Sequence, residues 1–295
     1  MTAIVEAAGL TKRFGKVTAV DDVSFSLEQG GIHGLLGRNG AGKTTLMQLL
    51  TGQDFATRGD VKIFGEHPVE NARAVGRTCF IKESQVYPDD FQGKHVLKIA
   101  PRFFPHWDED LAQHLVEAFG APMDRKIKKL SRGQRSAIGV IVGIASRAEL
   151  TFLDEPYAGL DAVARRRFYD LLLEDYAEHP RTIVLSTHLI DEAAALLQRV
   201  LVIDNGRIVI NADAEELRGS ATTLVGKASD VEAFAAHREV LDRSAIGGIA
   251  SVTIAGLSAD EKRAAAQAGL ETIPVSLQEL IVRRTGGTLT EEVSA

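Results

Sequence analysis

The stretch GRNGAGKT, residues 37–44, lies between an apolar run, GIHGLLG at 31–37, and a segment with helical periodicity, KTTLMQLLTG at 43–52. It fits the phosphate-loop pattern G-x-x-x-x-G-K-[ST], which requires a strand before it and a helix after it. Its glycines let backbone N–H groups fold around phosphate oxygens, which a helix N-terminus also attracts. The pattern therefore predicts a nucleotide-phosphate site at the end of a strand.

Two side chains of this loop carry specific expectations. Lys43 is expected to reach the β- and γ-phosphates, and the Thr44 hydroxyl is expected to ligate Mg²⁺. The other residues expected to contact the nucleotide are Gly37, Arg38, Asn39, Gly40, Ala41, Gly42 and Thr45. A glycine-rich turn that binds nothing is the alternative interpretation.

An acidic pair ends a second apolar run. Leu150 to Leu153 lead to Asp154 and Glu155, at the strand edge where α/β sheets bind ligands. Asp154 can hold Mg²⁺ through water, and Glu155 can orient or deprotonate an attacking water. Alone, such a pair is more often a helix N-cap, but beside a phosphate loop it favours a hydrolytic site.

Strand-like and helix-like segments alternate along much of the chain. ELTFLDEP (149–156) precedes the helical pattern at 162–178, and RTIVLSTH (181–188) precedes the one at 189–199. This alternation predicts parallel strands joined by crossover helices, hence an α/β sheet with both faces covered.

Two segments depart from this alternation. Residues 88–148 open with proline-containing turns and continue with helical patterns, so we predict a mostly helical insert. After residue 218 a shorter strand and helix alternation begins. We therefore expect two domains, 1–218 and 219–295, of which the second is a small α/β appendage.

Composition excludes several classes of protein. The 295 residues carry 34 Lys and Arg against 40 Asp and Glu, a net charge of −6, and 45% are hydrophobic. These proportions exclude disorder as the main state and argue against broad nucleic-acid binding. The longest apolar stretch, 137–145, is about half of what a membrane-spanning helix needs, and the N-terminus lacks the features of a secretory signal. The single cysteine, Cys79, cannot form an internal disulfide.

Residues 130–134, Leu-Ser-Arg-Gly-Gln, start a predicted helix and resemble the Leu-Ser-Gly-Gly-Gln signature of the ATP-binding cassette family. Further family elements follow in the expected order. Phe14 is placed like the aromatic residue that stacks on adenine, residues 158–161 like the D-loop, and His188 like the switch histidine. Alone, Ser131 would be interpreted as an N-cap, Phe14 as a core residue and His188 as a polar strand end.

The resemblance covers roughly residues 4–216 and implies the P-loop NTPase fold, a parallel-sheet core with an antiparallel N-terminal β portion.

Arg132 stands where the family usually has a second glycine. An arginine is acceptable there at negative φ and strained at positive φ. Gln85 is the best candidate for the Q-loop residue, with a catalytic role and a contact to Mg²⁺. A different alignment places Glu83 there.

By resemblance, two cassettes face head to tail and bind two ATP between them. Each site combines Lys43, Thr44, Asp154, Glu155 and His188 of one cassette with Ser131, Gly133 and Gln134 of the other, and Asp161 of the D-loop also contributes. ATP and Mg²⁺ are the implied cofactors. The chain has one phosphate loop and one signature, so it is expected to pair with a second copy or with a similar cassette.

The segment 202–217, VIDNGRIVINADAEEL, and the compact appendage resemble bacterial drug- and antibiotic-type exporter ATPases. This resemblance implies a separate integral-membrane permease and a cytoplasmic location on the inner face of the cell membrane, reached only through that permease. No nucleic-acid partner is expected. The alternative is a soluble cassette ATPase acting on ribosomes or DNA, whose usual second cassette or long coiled coil this sequence lacks.

Two surface features have open interpretations. The groove for a permease helix would lie near Gln85. Its apolar candidates are Tyr87, Phe91, Phe103, Phe104 and Trp107. Packing inside the helical insert explains these side chains about equally well. Six cations, without an intervening acid, form a basic cluster: Arg125, Lys126, Lys128, Lys129, Arg132 and Arg135. This cluster is either a solvated face or an attraction for nucleotide phosphates or anionic lipid.

Overall fold

A computed structural model of the chain describes residues 3–285. The chain divides into two compact units. Residues up to His188 join Ala195–Asn211 in the first, and Leu189–Ala194 join the residues from Ala212 onward in the second. The division thus falls a few residues before the expected one at 218, and a short segment after His188 groups with the second unit.

Among the described residues, the first unit contains nine strands, of which the last extends two residues into the second unit, and six α-helices. The strands are β1 (Ala3–Phe14), β2 (Val17–Glu28), β3 (Ile32–Leu36), β4 (Arg58–Ile63), β5 (Thr78–Ile81), β6 (Leu150–Asp154), β7 (Thr182–Thr187), β8 (Arg199–Asp204) and β9 (Arg207–Asp213). The helices are α1 (Lys43–Leu50), α2 (Ala72–Val75), α3 (Gly93–Ile99), α4 (Glu109–Phe119), α5 (Arg132–Ala145) and α6 (Ala162–Glu178).

The central sheet has the order β5-β6-β7-β3-β8-β9, and β5, β6, β7, β3 and β8 pair in parallel. All residues of β3, β6 and β7 are buried, which explains their continuous apolar and β-branched character. In register, Asp154 pairs with Ser186 and Leu36 with Thr187. The carboxyl ends of β3, β6 and β7 therefore meet at one edge, as expected for a P-loop NTPase.

A second sheet of order β2-β1-β4 is antiparallel and confirms the expected N-terminal β portion. Its inner residues, such as Leu10 and Leu27, share one core with Leu46 and Met47 of α1 and Phe152 of β6. Each such side chain stabilises the fold by roughly 1.5–3 kcal/mol through burial. This core fixes α1, and with it the phosphate loop, against both sheets.

Residues 88–148 form the expected helical insert from α3, α4, α5 and two 3₁₀ turns, Ala100–Arg102 and Ile127–Lys129. Asp108 caps α4 by accepting from the Leu111 N–H, and Gly120 ends that helix with φ 57°. The apolar stretch 137–145 is the buried part of α5. Within residues 3–285 no helix has the length and apolar character needed to cross a membrane.

The second unit is the expected small α/β appendage. Its elements are α7 (Ile190–Ala193), α8 (Ala214–Leu217), β10 (Ala221–Lys227), α9 (Ala228–Ala235), β11 (Val240–Ile246), β12 (Ile249–Ala255), α10 (Ala259–Gln267), β13 (Glu271–Pro274) and α11 (Leu277–Arg284). The sheet order β11-β12-β10-β13 and the succession β-α-β-β-α-β define a ferredoxin-like arrangement. Leu224, Val231 and Val252 belong to its own core.

Candidate nucleotide site

The phosphate loop joins the end of β3 to the start of α1. Gly42, the residue before α1, has φ 111°, and a Cβ there would lie 2.4 Å from the carbonyl oxygen of Ala19. A Cβ on Gly37 would lie 2.3 Å from the carbonyl oxygen of Ile203. Only glycine fits at both positions, because the neighbouring backbone approaches too closely for any side chain.

Lys43 lies inside this loop and is buried. Its Nζ donates to the carbonyl oxygens of Gly37 at 2.8 Å and Arg38 at 3.2 Å. The same Nζ lies 3.4 Å from Oε1 of Glu155. The ammonium therefore links the loop to the acidic pair at the end of β6.

Asp154 is fully buried at the end of β6. Its Oδ2 accepts from the Thr44 hydroxyl at 2.6 Å, and its Oδ1 accepts from the Ser186 hydroxyl at 2.8 Å. Burial raises the pKa of Asp154 above its usual value, although the two hydroxyl donors oppose that shift. A hydroxyl and a carboxylate side by side are the hard oxygen ligands that Mg²⁺ prefers, so Thr44 and Asp154 fit that ion.

Glu155 follows at the same edge and is 5% exposed. Its Oε2 lies 2.7 Å from Nδ1 of His188 and accepts from the Tyr157 hydroxyl at 2.9 Å. Because an ionised carboxylate only accepts, Nδ1 of His188 carries the proton of that bond. Burial would raise the pKa of Glu155, but the His188 hydrogen bond and the Lys43 charge outweigh it, so the pKa lies below its usual value.

The backbone of Glu155 is left-handed, with φ 46°. A residue with a Cβ adopts this conformation at a cost on the order of 1–3 kcal/mol, and such strain concentrates at functional sites. Neither acid of the pair caps a helix, because the N-cap of the next helix, α6, is Asp161, which accepts from the Ala164 N–H at 2.8 Å. The N-cap alternative for the pair therefore does not hold in this fold.

The signature residues form the first turn of α5. Ser131 and Gln134 make a capping box, in which Ser131 Oγ accepts from the Gln134 N–H and Gln134 Oε1 accepts from the Ser131 N–H. A Cβ on Gly133 would lie 2.2 Å from the carbonyl oxygen of Gly159 in the predicted D-loop. Arg132 is the first residue of the helix and does not have a positive φ, so it is not strained.

The Q-loop candidates follow β5. Oε1 of Gln85 accepts weakly from the Lys82 N–H at 3.4 Å, whereas Glu83 forms an ion pair with Arg132. Both candidates line a cavity of about 490 Å³ that Glu155 also lines. The assignment of Gln85 stays a prediction, since both side chains face the same space.

Phe14 ends β1 and is 51% exposed. The Nζ of Lys12 lies 4.8 Å from the centroid of its ring, and the same atom donates to Asp54 at 2.6 Å. An exposed ring can stack on a base, and this role of Phe14 stays a prediction. Its core interpretation is wrong, because half of the side chain faces solvent.

Two residues of this site, Tyr157 and Ser186, were not predicted from the sequence. Ser186 could have been found, since pairing the ends of the two apolar runs in parallel places it opposite Asp154. Tyr157 lies two residues beyond Glu155, but nothing in the sequence shows that its side chain turns back to that carboxylate.

The structure partly decides between the interpretations of the basic cluster and of the aromatic groove candidates. In the basic cluster, Lys126 and Lys128 both pair with Asp90, at 3.1 and 3.0 Å, so part of its charge is neutralised locally. Among the aromatic candidates, the Phe91 ring packs edge-on against His95 with centroids 5.7 Å apart. Phe103 is exposed and does not pack inside the insert.

Comparison with known proteins identifies the family. The family model described as ABC transporter matches residues 20–158. The doxorubicin resistance ATP-binding protein DrrA of Mycobacterium tuberculosis is 32% identical, over 75% of this chain and 68% of the relative. The Nod factor export ATP-binding protein I of Ralstonia nicotianae is 32% identical, over 73% of this chain and 69% of the relative. The chain belongs to the ABC transporter family and is an ATP-binding cassette ATPase.

Full-length similarity extends to the ABC transporter ATP-binding protein YtrB of Bacillus subtilis, which is 26% identical over 96% of this chain and 99% of the relative. Among solved structures, the ATP-binding subunit of an ABC transporter superposes with a TM-score of 0.64 and 22% identity, over 72% of this chain and 91% of that one. That superposition confirms the fold. The resemblance found in the sequence is thus confirmed.

Proposed function

We propose that this chain is the Mg²⁺-dependent ATPase subunit of an exporter, acting in a pair of cassettes on a separate membrane permease. The observation that carries the proposal is the convergence of five polar side chains at the carboxyl edge of the central sheet: Lys43, Thr44, Asp154, Glu155 and His188. The direction of transport is supported by relatives named for Nod factor export and doxorubicin resistance.

Binding is assigned to the loop and its neighbours. Backbone N–H groups of residues 37–45 and the Lys43 ammonium would hold the phosphates, and Phe14 would stack on adenine. Thr44 and Asp154 would hold Mg²⁺, and Gln85 would contribute a further contact to it. Bound there, Mg²⁺ would neutralise charge on the phosphates.

Hydrolysis is assigned to Glu155 and His188. Glu155 is the group that can accept a proton from the attacking water, and its low pKa keeps it ionised at neutral pH. His188, held at Nδ1 by Glu155, would donate from its other ring nitrogen to a γ-phosphate oxygen in its doubly protonated form. The side chain of His188 is 45% exposed, whereas that of Glu155 is buried.

A pair of cassettes is supported by where the signature lies. Ser131, Gly133 and Gln134 form the first turn of α5, and the contacts of Lys43, Asp154 and Glu155 described above do not include them. A second copy, or a similar cassette, would supply its own signature and Asp161 to this site. The permease would dock near the Q-loop candidates and would hold the chain at the inner face of the cell membrane. Phe103, which is exposed, is one of the apolar candidates for that contact.

The first test is ATP turnover by the purified full-length chain. We expect turnover that requires Mg²⁺, is removed by EDTA and falls at least roughly 100-fold in the Lys43→Ala and Glu155→Gln variants. Lys94→Ala, an exposed lysine that pairs with Asp124, is the matched control and should retain the wild-type rate. Turnover that is the same in wild type and Lys43→Ala would contradict the proposal.

The second test identifies the partner. Tagged Glu155→Gln protein is captured from detergent-solubilised cells of its host with ATP and Mg²⁺, and co-purifying proteins are identified by mass spectrometry. A multi-span membrane protein in stoichiometric amount supports the exporter assignment, provided that Lys43→Ala captures less of it with ATP. Ribosomal proteins or DNA-repair factors without a membrane partner would instead favour the soluble ATPase.

A further inference from the structure

Tyr157 contacts Glu155, the proposed general base, and belongs to none of the motifs found in the sequence. It is 2% exposed, and its hydroxyl donates to Oε2 of Glu155 at 2.9 Å. The same hydroxyl is hydrogen-bonded to Oγ1 of Thr187, the last residue of β7. One phenol thus connects the carboxylate that follows β6 to the end of the neighbouring strand.

The direction of these hydrogen bonds follows from the donors available. An ionised carboxylate can only accept, so the single Tyr157 proton points to Glu155. The Tyr157 oxygen then accepts from the Thr187 hydroxyl. Such a chain from Thr187 through Tyr157 to Glu155 polarises each of its members and strengthens the last hydrogen bond.

The ring of Tyr157 is held by packing. Its centroid lies 6.5 Å from that of Phe168 and 6.1 Å from that of Tyr169, both on α6. Because the side chain is enclosed by these aromatic rings, the hydroxyl cannot rotate toward solvent without opening a buried contact. The position of this donor is therefore set by the fold.

The other two partners of Glu155 have second tasks. In the proposed mechanism Lys43 turns to phosphate oxygens of ATP, so its hold on Glu155 weakens when the nucleotide binds. His188 would also donate to a phosphate oxygen, from its other ring nitrogen. Tyr157 bonds to Glu155 and Thr187 and has no such task in the proposed mechanism. It is the donor that can keep Oε2 in place throughout turnover.

The geometry points to Tyr157 as a positioning residue: its hydroxyl fixes Oε2 of Glu155 so that Oε1 is the oxygen presented to the attacking water. Oε1 accepts no hydrogen bond within residues 3–285 and lies 3.4 Å from Lys43 Nζ. Once Lys43 engages phosphate, Oε1 is free to take the water proton. This inference rests on the proposed hydrolytic function and adds which oxygen acts and what holds the other.

The test compares Tyr157→Phe with wild type in the full-length chain. The variant keeps the ring and its packing and removes only the hydroxyl. We expect kcat for ATP to fall roughly ten-fold, while KM and the affinity for a fluorescent ATP analogue change by less than about two-fold. Equal kcat in both proteins, with wild type far more active than Lys43→Ala, overturns the positioning role and leaves the proposed function intact.

A second comparison separates positioning from general structural damage. In the Glu155→Gln background the carboxylate is absent, so Tyr157→Phe should lower the residual rate by less than about two-fold. A ten-fold loss in both backgrounds would show that Tyr157 supports the fold and not Glu155, and would overturn the inference. Wild-type turnover no higher than that of Lys43→Ala overturns the proposed function, and with it this inference.

Thr187→Val supplies the matched control, because Tyr157→Phe also leaves the Thr187 hydroxyl without that bond. Thr187→Val keeps the donor to Glu155 and should lower kcat by no more than about three-fold. The double variant Tyr157→Phe with Thr187→Val should match Tyr157→Phe alone. A loss in Thr187→Val as large as that in Tyr157→Phe would contradict the assignment of the effect to the Tyr157–Glu155 bond.

Discussion

Nζ of Lys43 and Oε1 of Glu155 lie 3.4 Å apart, and both side chains are buried. The ion pair joins the group expected to bind phosphate to the group expected to activate water. Each charge compensates the desolvation of the other, so neither can be removed alone without leaving a buried charge. The contact between Lys43 and Glu155 would therefore couple phosphate binding to water activation.

The first prediction concerns Lys43. Replacement by Ala removes the ammonium that lies among the loop carbonyls, so we expect ATP affinity to fall at least roughly ten-fold, alongside the loss of turnover. Equilibrium binding of a fluorescent ATP analogue measures this change. Unchanged affinity in Lys43→Ala would show that the loop does not bind phosphate through this side chain.

The second prediction concerns ATP-dependent pairing. Glu155→Gln removes the proposed base and keeps an oxygen that can accept from Tyr157, so ATP should bind and persist. We expect gel filtration with ATP and Mg²⁺ to show about twice the 31.8 kDa mass of one chain. Lys43→Ala combined with Glu155→Gln is the control and should elute as a single chain. A Glu155→Gln protein that stays monomeric with ATP counts against the paired mechanism.

The third prediction concerns the cost of burying Asp154. Because burial raises its pKa above the ordinary 3.8, the ionised carboxylate destabilises the folded chain at neutral pH, and this cost vanishes below that ordinary value. Asp154→Asn should therefore raise the thermal unfolding temperature without nucleotide by a few degrees at about pH 7.5, and by less at about pH 4. Turnover should fall at least roughly 100-fold.

Thermal unfolding of both proteins at the two pH values, with no nucleotide added, checks this prediction. Asn can still accept from one hydroxyl and donate to the other, so Thr44 and Ser186 keep partners. A stabilisation that is the same at both pH values would show that the gain does not come from the ionised carboxylate.

The fourth prediction concerns Gly133. Ala is at least as favourable as Gly in a helix, but a Cβ at this position would lie 2.2 Å from the carbonyl oxygen of Gly159, so the D-loop must move. We expect Gly133→Ala to lower kcat at least roughly ten-fold. Gly248→Ala, where a Cβ meets nothing within 4 Å, should match wild type in the same assay. Equal rates in both variants would rule out a tight contact between signature and D-loop.

Much of the site was accessible from local pattern alone. Residues 37–44 predict a phosphate loop, because the chemistry of that loop depends on glycines with a freely adopted backbone conformation and on one lysine at fixed spacing. Asp154 and Glu155 were placed at a sheet edge because apolar runs of this length form buried strands, and ligands bind where parallel strands end. The helical insert and the C-terminal α/β appendage likewise followed from hydrophobic periodicity.

Other features depended on contacts between residues far apart in the chain. The Thr44–Asp154 bond spans 110 positions, and the Glu83–Arg132 pair spans 49. The order of the central sheet decides which strand ends meet, and no local pattern reports that order. For the same reason the choice between Gln85 and Glu83 could not be made from either the motif or its spacing.

By itself, the sequence determined that the chain is an α/β nucleotide-binding protein of the cassette type. Motif spacing and hydrophobic periodicity are local properties, so both can be measured along the chain without knowing the fold. Only the tertiary structure decided how Glu155 is held. Its Oε2 accepts from Nδ1 of His188 and from the Tyr157 hydroxyl, and its Oε1 lies beside Nζ of Lys43. The physical reason is that hydrogen bonds act over about 3 Å and depend on direction. Such distances are set by the packing of β6, β7 and α6, and not by the order of residues along the chain.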